Sequence, residues 1–269
     1  KVLILGNRGF IGKKIHKHLA ALGVHCVGLD FPDIDFTKRN KLDLEIFHKL
    51  GLIEDDVIIN CTGINGAQAS FDNLSKYYNL NGFSAIAIEK LLEKFSCRAF
   101  VHISSETVLG EGMDLTEDSP LLPKHPYAFS KAVFESYMLS SEIYNKITST
   151  ILRLPIMIGN PPSIPSAYDF IKKDILENND VILFGDGEHK RKFLNVEDIG
   201  SLMQIILKKD SRRVEILHAP GSVLSMKEIY DLLSSRLNQK PPIVFKPPKN
   251  QSQVTTLHSR TSEVFSDFS

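Results

Sequence analysis

Short apolar runs alternate with amphipathic stretches through the N-terminal half of the chain. Val2–Leu5 is continuously apolar and ends on Gly6; Phe10, Ile11, Ile15, Leu19 and Leu22 then recur at helical spacing as far as Gly23. Val24–Leu29 is a second apolar run, closed by Asp30. The same alternation predicts a helix near Lys41–Leu50, a strand at Val57–Asn60, one long helix from about Phe71 to Phe95, and a strand at Ala99–Ser104. A helix starting near Pro126 and a strand at Thr148–Leu152 complete this half. The strands are mostly apolar throughout rather than at alternate positions, which marks burial on both faces. Such strands interleaved with helices predict an α/β fold with a parallel sheet covered on both sides.

After Arg153 the pattern loosens. Pro155, Pro161, Pro162 and Pro165 crowd one loop. Helices are predicted near Ala167–Glu177, Val196–Lys208 and Ser225–Leu237, with strands at Val181–Phe184 and, between proline pairs, at Ile243–Lys246. Residues 250–269 are polar and weakly patterned, and no internal repeat or low-complexity tract is visible.

With 269 residues, the chain can form one large α/β domain and a smaller appendage. Lys plus Arg and Asp plus Glu both number 32, and this balance argues against a nucleic-acid partner. Cys26, Cys61 and Cys97 lie in or beside apolar runs without a CxxC pair, so reduced core thiols are expected. No apolar run approaches the ~20 residues of a bilayer span, and the first residues read as a buried strand rather than a signal peptide. The expectation is a cytoplasmic protein with no membrane partner. His16, His18 and His125 have no partner at metal-ligand spacing; they read as solvated or packing residues, and no metal site is expected.

Chemistry enters with Gly6-Asn7-Arg8-Gly9-Phe10-Ile11-Gly12, between the first strand and the first helix. There Gly6 permits a tight turn, Gly9 lets backbone approach a pyrophosphate, and Gly12 allows helix and strand to pack closely. The free N–H groups of the helix start then attract a diphosphate. Asp30 at the end of the second strand is placed to accept from adenosine ribose hydroxyls, which favours NAD; a guanidinium at Arg8 would suit the 2′-phosphate of NADP. NAD is the expected cofactor, with NADP the alternative. Asp35 either closes over the adenine edge or caps its own turn. Tyr127 and Lys131 stand one helical turn apart, where an ammonium favours the phenolate and makes the tyrosine a general acid/base. Ser105, beyond the fourth strand, can hydrogen-bond the same substrate oxygen.

With the glycine loop, Ser104-Ser105-Glu106-Thr107-Val108-Leu109-Gly110 and Tyr127-x-x-x-Lys131 in order, the chain resembles the extended short-chain dehydrogenase/reductases. Within them it is similar to the NAD-dependent epimerase/dehydratase family, which acts on nucleotide sugars. Asn60-Cys61-Thr62-Gly63, Leu80-Asn81, Leu152-Arg153, Gly185-Asp186-Gly187 and Arg191-Lys192-Phe193-Leu194-Asn195-Val196-Glu197-Asp198 extend the likeness over nearly the whole chain. The resemblance implies cofactor contacts at Phe10, Ile11, Thr62, Gly63, Asn81 and Pro155, and substrate contacts at Glu106 and Thr107. It makes Ser105 rather than Ser104 catalytic, and gives Arg191 either the substrate diphosphate or a structural salt bridge.

Three departures qualify this. Leu109 replaces the family's tyrosine; Ile156 and Ile158 replace polar residues, one of which commonly faces substrate; and Thr107 stands where 4,6-dehydratases carry a second acid. Water elimination is therefore not expected. Residues 1–153 are predicted to form a Rossmann-type doubly wound parallel sheet, and 154–269 mostly a smaller substrate-binding region. That boundary is soft, because later elements can return to the sheet. The expected activity is that of an NAD(P)-dependent nucleotide-sugar epimerase or keto-sugar reductase with a Ser-Tyr-Lys site, possible as a homodimer. Two alternatives stay open: a reductase of a non-nucleotide carbonyl substrate, and a non-catalytic cofactor-sensing protein.

Overall fold

The uniformly apolar runs become the inner strands of one sheet. A computed structural model describes residues 1–38, 45–95, 97–159, 164–209, 213–247 and 254–256. In chain order the first half contains β1 (Val2–Leu5), α1 (Phe10–Ala21), β2 (Cys26–Leu29), α2 (Glu45–Leu50), β3 (Val57–Asn60), α3 (Ala69–Asp72), α4 (Leu74–Tyr77), α5 (Ser84–Lys94) and β4 (Ala99–Ser105). β5 (Gly112–Leu115), α6 (Pro126–Ser140), α7 (Glu142–Lys146), β6 (Thr148–Leu154) and β7 (Ile156–Ile158) follow. The remainder is α8 (Ala167–Leu176), β8 (Val181–Phe184), β9 (Lys190–Asn195), α9 (Ile199–Ile206), β10 (Val214–His218), β11 (Ser222–Ser225), α10 (Met226–Leu237), β12 (Ile243–Lys246) and β13 (Val254–Thr256).

Among the described residues six strands form a parallel sheet in the order β10-β6-β4-β3-β1-β2. Alternate residues of each strand feed opposite cores. Ile4, Ile59 and Val101 pack under α1 and α9 with Ile15, Leu19, Leu202 and Met203. Leu3, Leu5, Ile58 and Phe100 pack under α5 and α6 with Ile88, Leu91, Phe134 and Met138. This two-sided burial is why the strands read as unbroken apolar runs. β10, from beyond Arg153, returns to the edge of this sheet beside β6. A third core, built from Ile171, Ile175, Val181, Phe193, Ile229 and Leu233, belongs to the C-terminal elements. There β11-β9-β13-β5 form a second sheet with β7 paired to β9, and β12 pairs with β8.

The predicted long helix is interrupted. Asn73, with φ −134° and ψ 42°, separates α3 from α4, and a π-helical turn at Tyr78–Gly82 precedes α5. The π-helical turn lies where the chain packs closely on α6: a Cβ on Gly82 would lie 2.9 Å from the Ser130 carbonyl oxygen, so the two backbones touch. The predicted helix from Lys41 is observed as α2, and its residues 41–44 lie outside the described residues. Of the polar tail, 254–256 is a strand and the rest lies outside them too. Among the described residues no helix is long and apolar enough to cross a membrane.

Candidate active site

Ligands of open parallel sheets bind beyond the carboxyl ends of the strands, where the strand order reverses. Here that point lies between β1 and β3, and the glycine loop occupies it. Gly6 has φ +80°, and a Cβ there would meet the Cys61–Thr62 backbone at 2.9 Å; a Cβ on Gly12 would meet the Gly6 carbonyl oxygen at 2.2 Å. The loop can fold this tightly only without those side chains. It directs the start of α1 into the cleft, with no acid in the first turn to offset the positive end of the helix. Asp30 is held by two backbone amides, accepting from Arg8 N–H at 2.9 Å and Phe31 N–H at 2.8 Å. The Arg8 guanidinium is engaged by the Asp33 carboxylate at 2.6 Å. Asp35 accepts from the Thr37 amide and hydroxyl, and the hydroxyl contact chiefly holds its carboxyl below the ordinary value. Of its two readings, the turn cap is the one observed.

At the end of β4 successive side chains part ways. Ser104 donates to the buried Glu135 carboxylate, while Ser105 turns to the cleft, 3.0 Å from the Thr107 hydroxyl. Across from it α6 begins with Pro126 at its first position; the His125 ring caps the helix, accepting from Ala128 N–H at 3.1 Å. The Tyr127 amide donates to Ser70 Oγ at 3.0 Å. Ser105, Tyr127 and Lys131 open onto one cleft of about 670 Å³. Lys131 donates to the Ile103 carbonyl oxygen at 2.9 Å, and burial brings its ammonium down to about 8, opposed by Cys61 and Glu135. The expected depression of the phenol is not observed. Burial raises Tyr127, the Ser105 hydrogen bond pulls it partly back, and nearby Tyr77 adds to the rise.

The cleft also takes in Gly9, Phe10 and Ile11 from the loop, Thr62 and Gly63 after β3, and Glu106 and Thr107 beside Ser105. Pro155, Ile156 and Arg191 enter from the C-terminal elements. Glu106, expected to meet substrate, is largely spoken for: its carboxylate pairs with Lys192 at 3.1 Å. Asn81 acts from behind the wall, its amide accepting from Ile64 N–H at 2.8 Å and donating to the Ile64 carbonyl at 2.9 Å. Ile156 lines the cleft; Ile158 packs into the C-terminal core. His125, read from sequence as solvated or packing, both caps α6 and lines the cleft, stacked 5.9 Å from Tyr127. A histidine directly before a helix-starting proline was the available signal. Ser70 had none, since 57 residues separate it from the amide it holds. The three cysteines are free thiols, with Cys61 and Cys97 pushed up to about 12 by burial. Among the described residues no group of three His, Cys, Asp or Glu side chains is placed to hold a metal ion.

A helix start aimed into the same cleft as a tyrosine–lysine pair suits an enzyme that works on a bound dinucleotide. The glycine cradle, which a single Cβ would fill, and the amide-held Asp30 fit that group. A model of the NAD dependent epimerase/dehydratase family matches residues 2–217, and the chain belongs to this family of NAD-dependent extended short-chain dehydrogenases. A putative UDP-glucose 4-epimerase of Methanocaldococcus jannaschii is 24% identical over 92% of this chain and 86% of its own. A dTDP-4-dehydro-6-deoxyglucose reductase of Escherichia coli is 22% identical over 92% of this chain and 85% of its own. The structure of UDP-glucuronic acid 4-epimerase from Bacillus cereus, with UDP-glucuronic acid and NAD, shares the fold at TM-score 0.82 and 21% identity, over 98% of this chain and 92% of that one.

The Lys131 environment makes stability depend on pH. Its folded value is about 8 against an ordinary 10.5. Between the two the unfolded chain binds a proton that the folded chain has released, so the lysine's burial penalty fades and stability rises with pH across the window. The Cys61 and Cys97 thiols act oppositely above their ordinary 9.0, so Lys131→Met, which keeps both, is the reference. In denaturant titrations wild type should gain on the variant as pH rises through that window. A constant difference would contradict the assignment.

Proposed function

We propose that the protein is an NAD-dependent nucleotide-sugar epimerase that oxidises and re-reduces one sugar carbon with a Ser105–Tyr127–Lys131 site. The observation that carries this reading is the meeting of those three side chains in one cleft with the start of α1 and Arg191. Keto-sugar reduction is the second reading; it uses the same groups and is favoured by the likeness to the Escherichia coli reductase.

The amides at Phe10 and Ile11 would hold the NAD diphosphate, with Gly9 letting the backbone approach it, Asp30 the adenosine ribose, and Lys131 the nicotinamide ribose, with Thr62 and Gly63 as the adjoining wall. Bound there, NAD supplies reversible two-electron exchange with a sugar carbon. Tyr127 Oη takes the proton of the sugar hydroxyl and returns it, and Ser105 Oγ hydrogen-bonds the same oxygen. Lys131, one turn away, would favour the phenolate against the burial that raises the phenol. Arg191 faces the substrate diphosphate beside His125, which its charge keeps below the ordinary histidine range together with burial, the larger cause. Glu106 is paired with Lys192 and Thr107 is no acid, so among the described residues the cleft has no free carboxylate pair for water elimination. With Arg8 turned onto Asp33 and Asp30 held at the ribose position, a 2′-phosphate would meet negative charge, and NAD is preferred to NADP.

The direct test is a panel of nucleotide sugars with NAD. Interconversion of C4 epimers without added reductant supports the epimerase; stoichiometric consumption of reduced cofactor by a keto-sugar supports the reductase. Tyr127→Phe should abolish turnover while cofactor affinity stays within about a few-fold, because only the proton-carrying oxygen is lost. Near-normal turnover in that variant would exclude the mechanism.

Cofactor choice is tested by titrating NAD and NADP against wild type and Asp30→Ala. The variant should bind NAD more weakly and show a narrower preference. A wild-type preference for NADP of about tenfold, ~1.4 kcal/mol, would mean that Arg8 outweighs Asp30.

For Arg191→Ala the Michaelis constant should rise more than turnover falls, since a diphosphate contact is made in ground and transition states alike. A charge-assisted contact contributes roughly 1.5–3 kcal/mol, on the order of ten- to a hundredfold in affinity. Failure of every nucleoside diphosphate to bind wild type at millimolar concentration would remove the nucleotide-sugar reading and leave a smaller carbonyl substrate.

A further inference from the structure

In the wall of the cleft lies a buried ion pair to which the mechanism gives no task. Glu106 follows Ser105 and opens the 3₁₀ turn Glu106–Leu109; its Oε1 lies 3.1 Å from Nζ of Lys192, the neighbour of Arg191 on β9. Lys192 is 1% exposed and Glu106 4%. The ammonium also donates to Thr256 Oγ1 at 2.9 Å, and that hydroxyl donates in turn to Glu106. Three segments far apart in sequence, the turn after β4, β9 and β13, thus meet on two charges.

Such a pair is a poor source of stability. Desolvating both ions offsets most of their attraction, and apolar side chains of similar volume do as well or better. What two buried charges supply is one register, because either charge moved off its partner is left uncompensated in the interior. Register has a consequence here. One peptide bond joins Glu106 to Ser105 and one joins Lys192 to Arg191. β4 belongs to the parallel sheet and β9 to the second sheet, so the pair ties the two sides of the cleft at the point where each presents a polar group.

We propose that Lys192 and Glu106 are a positioning pair that fixes Ser105 relative to Arg191, so that the proton-handling hydroxyl and the anion-holding guanidinium engage one substrate together. The proposal rests on the roles given above to Ser105 and Arg191. Lys192 and Glu106 act through these neighbours and touch no reacting atom.

The test compares Glu106→Gln, Lys192→Met and the double variant in the full chain. Each single variant leaves a buried group without its partner and is expected to melt lower. The double variant removes both charges and should melt near wild type, bind NAD and nucleoside diphosphate within about threefold of it, and lose on the order of ten- to a hundredfold in kcat with little change in KM, the pattern of a misplaced reacting group. Crystal structures of wild type and double variant with NAD read the same displacement without substrate, as a change in the separation of Ser105 Oγ from the Arg191 guanidinium. A well-folded double variant with wild-type kcat, or with Ser105 unmoved, overturns the proposal. If wild type binds no nucleoside diphosphate and turns over no nucleotide sugar, the functional reading fails instead, and the crystallographic comparison alone decides the positioning.

Discussion

The bond between Glu135 and Arg153 is the constraint around which the rest of the structure is arranged. Arg153 is 1% exposed and Glu135 fully buried; Nη2 donates to Oε2 at 2.8 Å and Nε reaches both carboxylate oxygens at 3.1–3.2 Å. Ser104 adds a hydroxyl to the same carboxylate, and Arg153 Nη1 lies 3.4 Å from the Glu117 carbonyl oxygen and 3.3 Å from His218 Nε2. One guanidinium thereby ties α6, β6, the end of β10 and the segment after β5. Removing either partner of a bidentate buried pair leaves an uncompensated charge, which costs roughly 3–5 kcal/mol, so α6 has one position on the sheet that does not break it.

That position determines the active face. Tyr127, Lys131 and Glu135 follow at intervals of four on α6, so anchoring Glu135 to Arg153 sets the rotation of the helix and presents the other two to the cleft. Ser104 bonds the same carboxylate, and the pleat of β4 then sends Ser105 the opposite way, toward Tyr127. At the other end of α6, His125 and Ser70 hold the first turn. The phenol is therefore fixed by its backbone and by the far end of its helix as well as by its ring contacts with Tyr77 and His125.

What the sequence disclosed follows from how local each cause is. β1, β3 and β4 are buried on both faces, so their composition alone marks them, and the glycine loop is a contiguous motif with a contiguous task. β9 is different: Lys190-Arg191-Lys192 reads from sequence as a phosphate-facing or solvated turn, yet Lys192 is buried because Glu106, 86 residues away, neutralises it. β13 lies in a stretch with no apolar pattern and is a strand because β5 and β9 flank it. The interruption between α4 and α5 likewise lies where Gly82 meets α6, and a helical period cannot show a neighbour. Among the side chains of the cleft, Tyr127 and Lys131 were legible from their spacing and Ser105 from its place at the end of β4, whereas Ser70 and Lys192 act across long intervals and His125 was read as solvated or packing.

Burial in the cleft drives Tyr127 and Lys131 toward their neutral forms, the phenol upward and the ammonium downward. Left to burial alone, the pair would be an inert phenol beside a neutral amine. Three groups oppose this. Cys61 first and the Glu135 carboxylate after it favour the charged lysine, and the Ser105 hydroxyl lowers the phenol. Positive charge brought into the cleft would favour the phenolate but would also push Lys131 further toward losing its proton. Glu135 resists that loss together with Cys61, the larger of the two, and Arg153 shares the charge of Glu135 by bonding both carboxylate oxygens. The buried pair that sets the angle of α6 thus also contributes to the negative charge Lys131 feels, which links the geometry of the site to its acid–base balance.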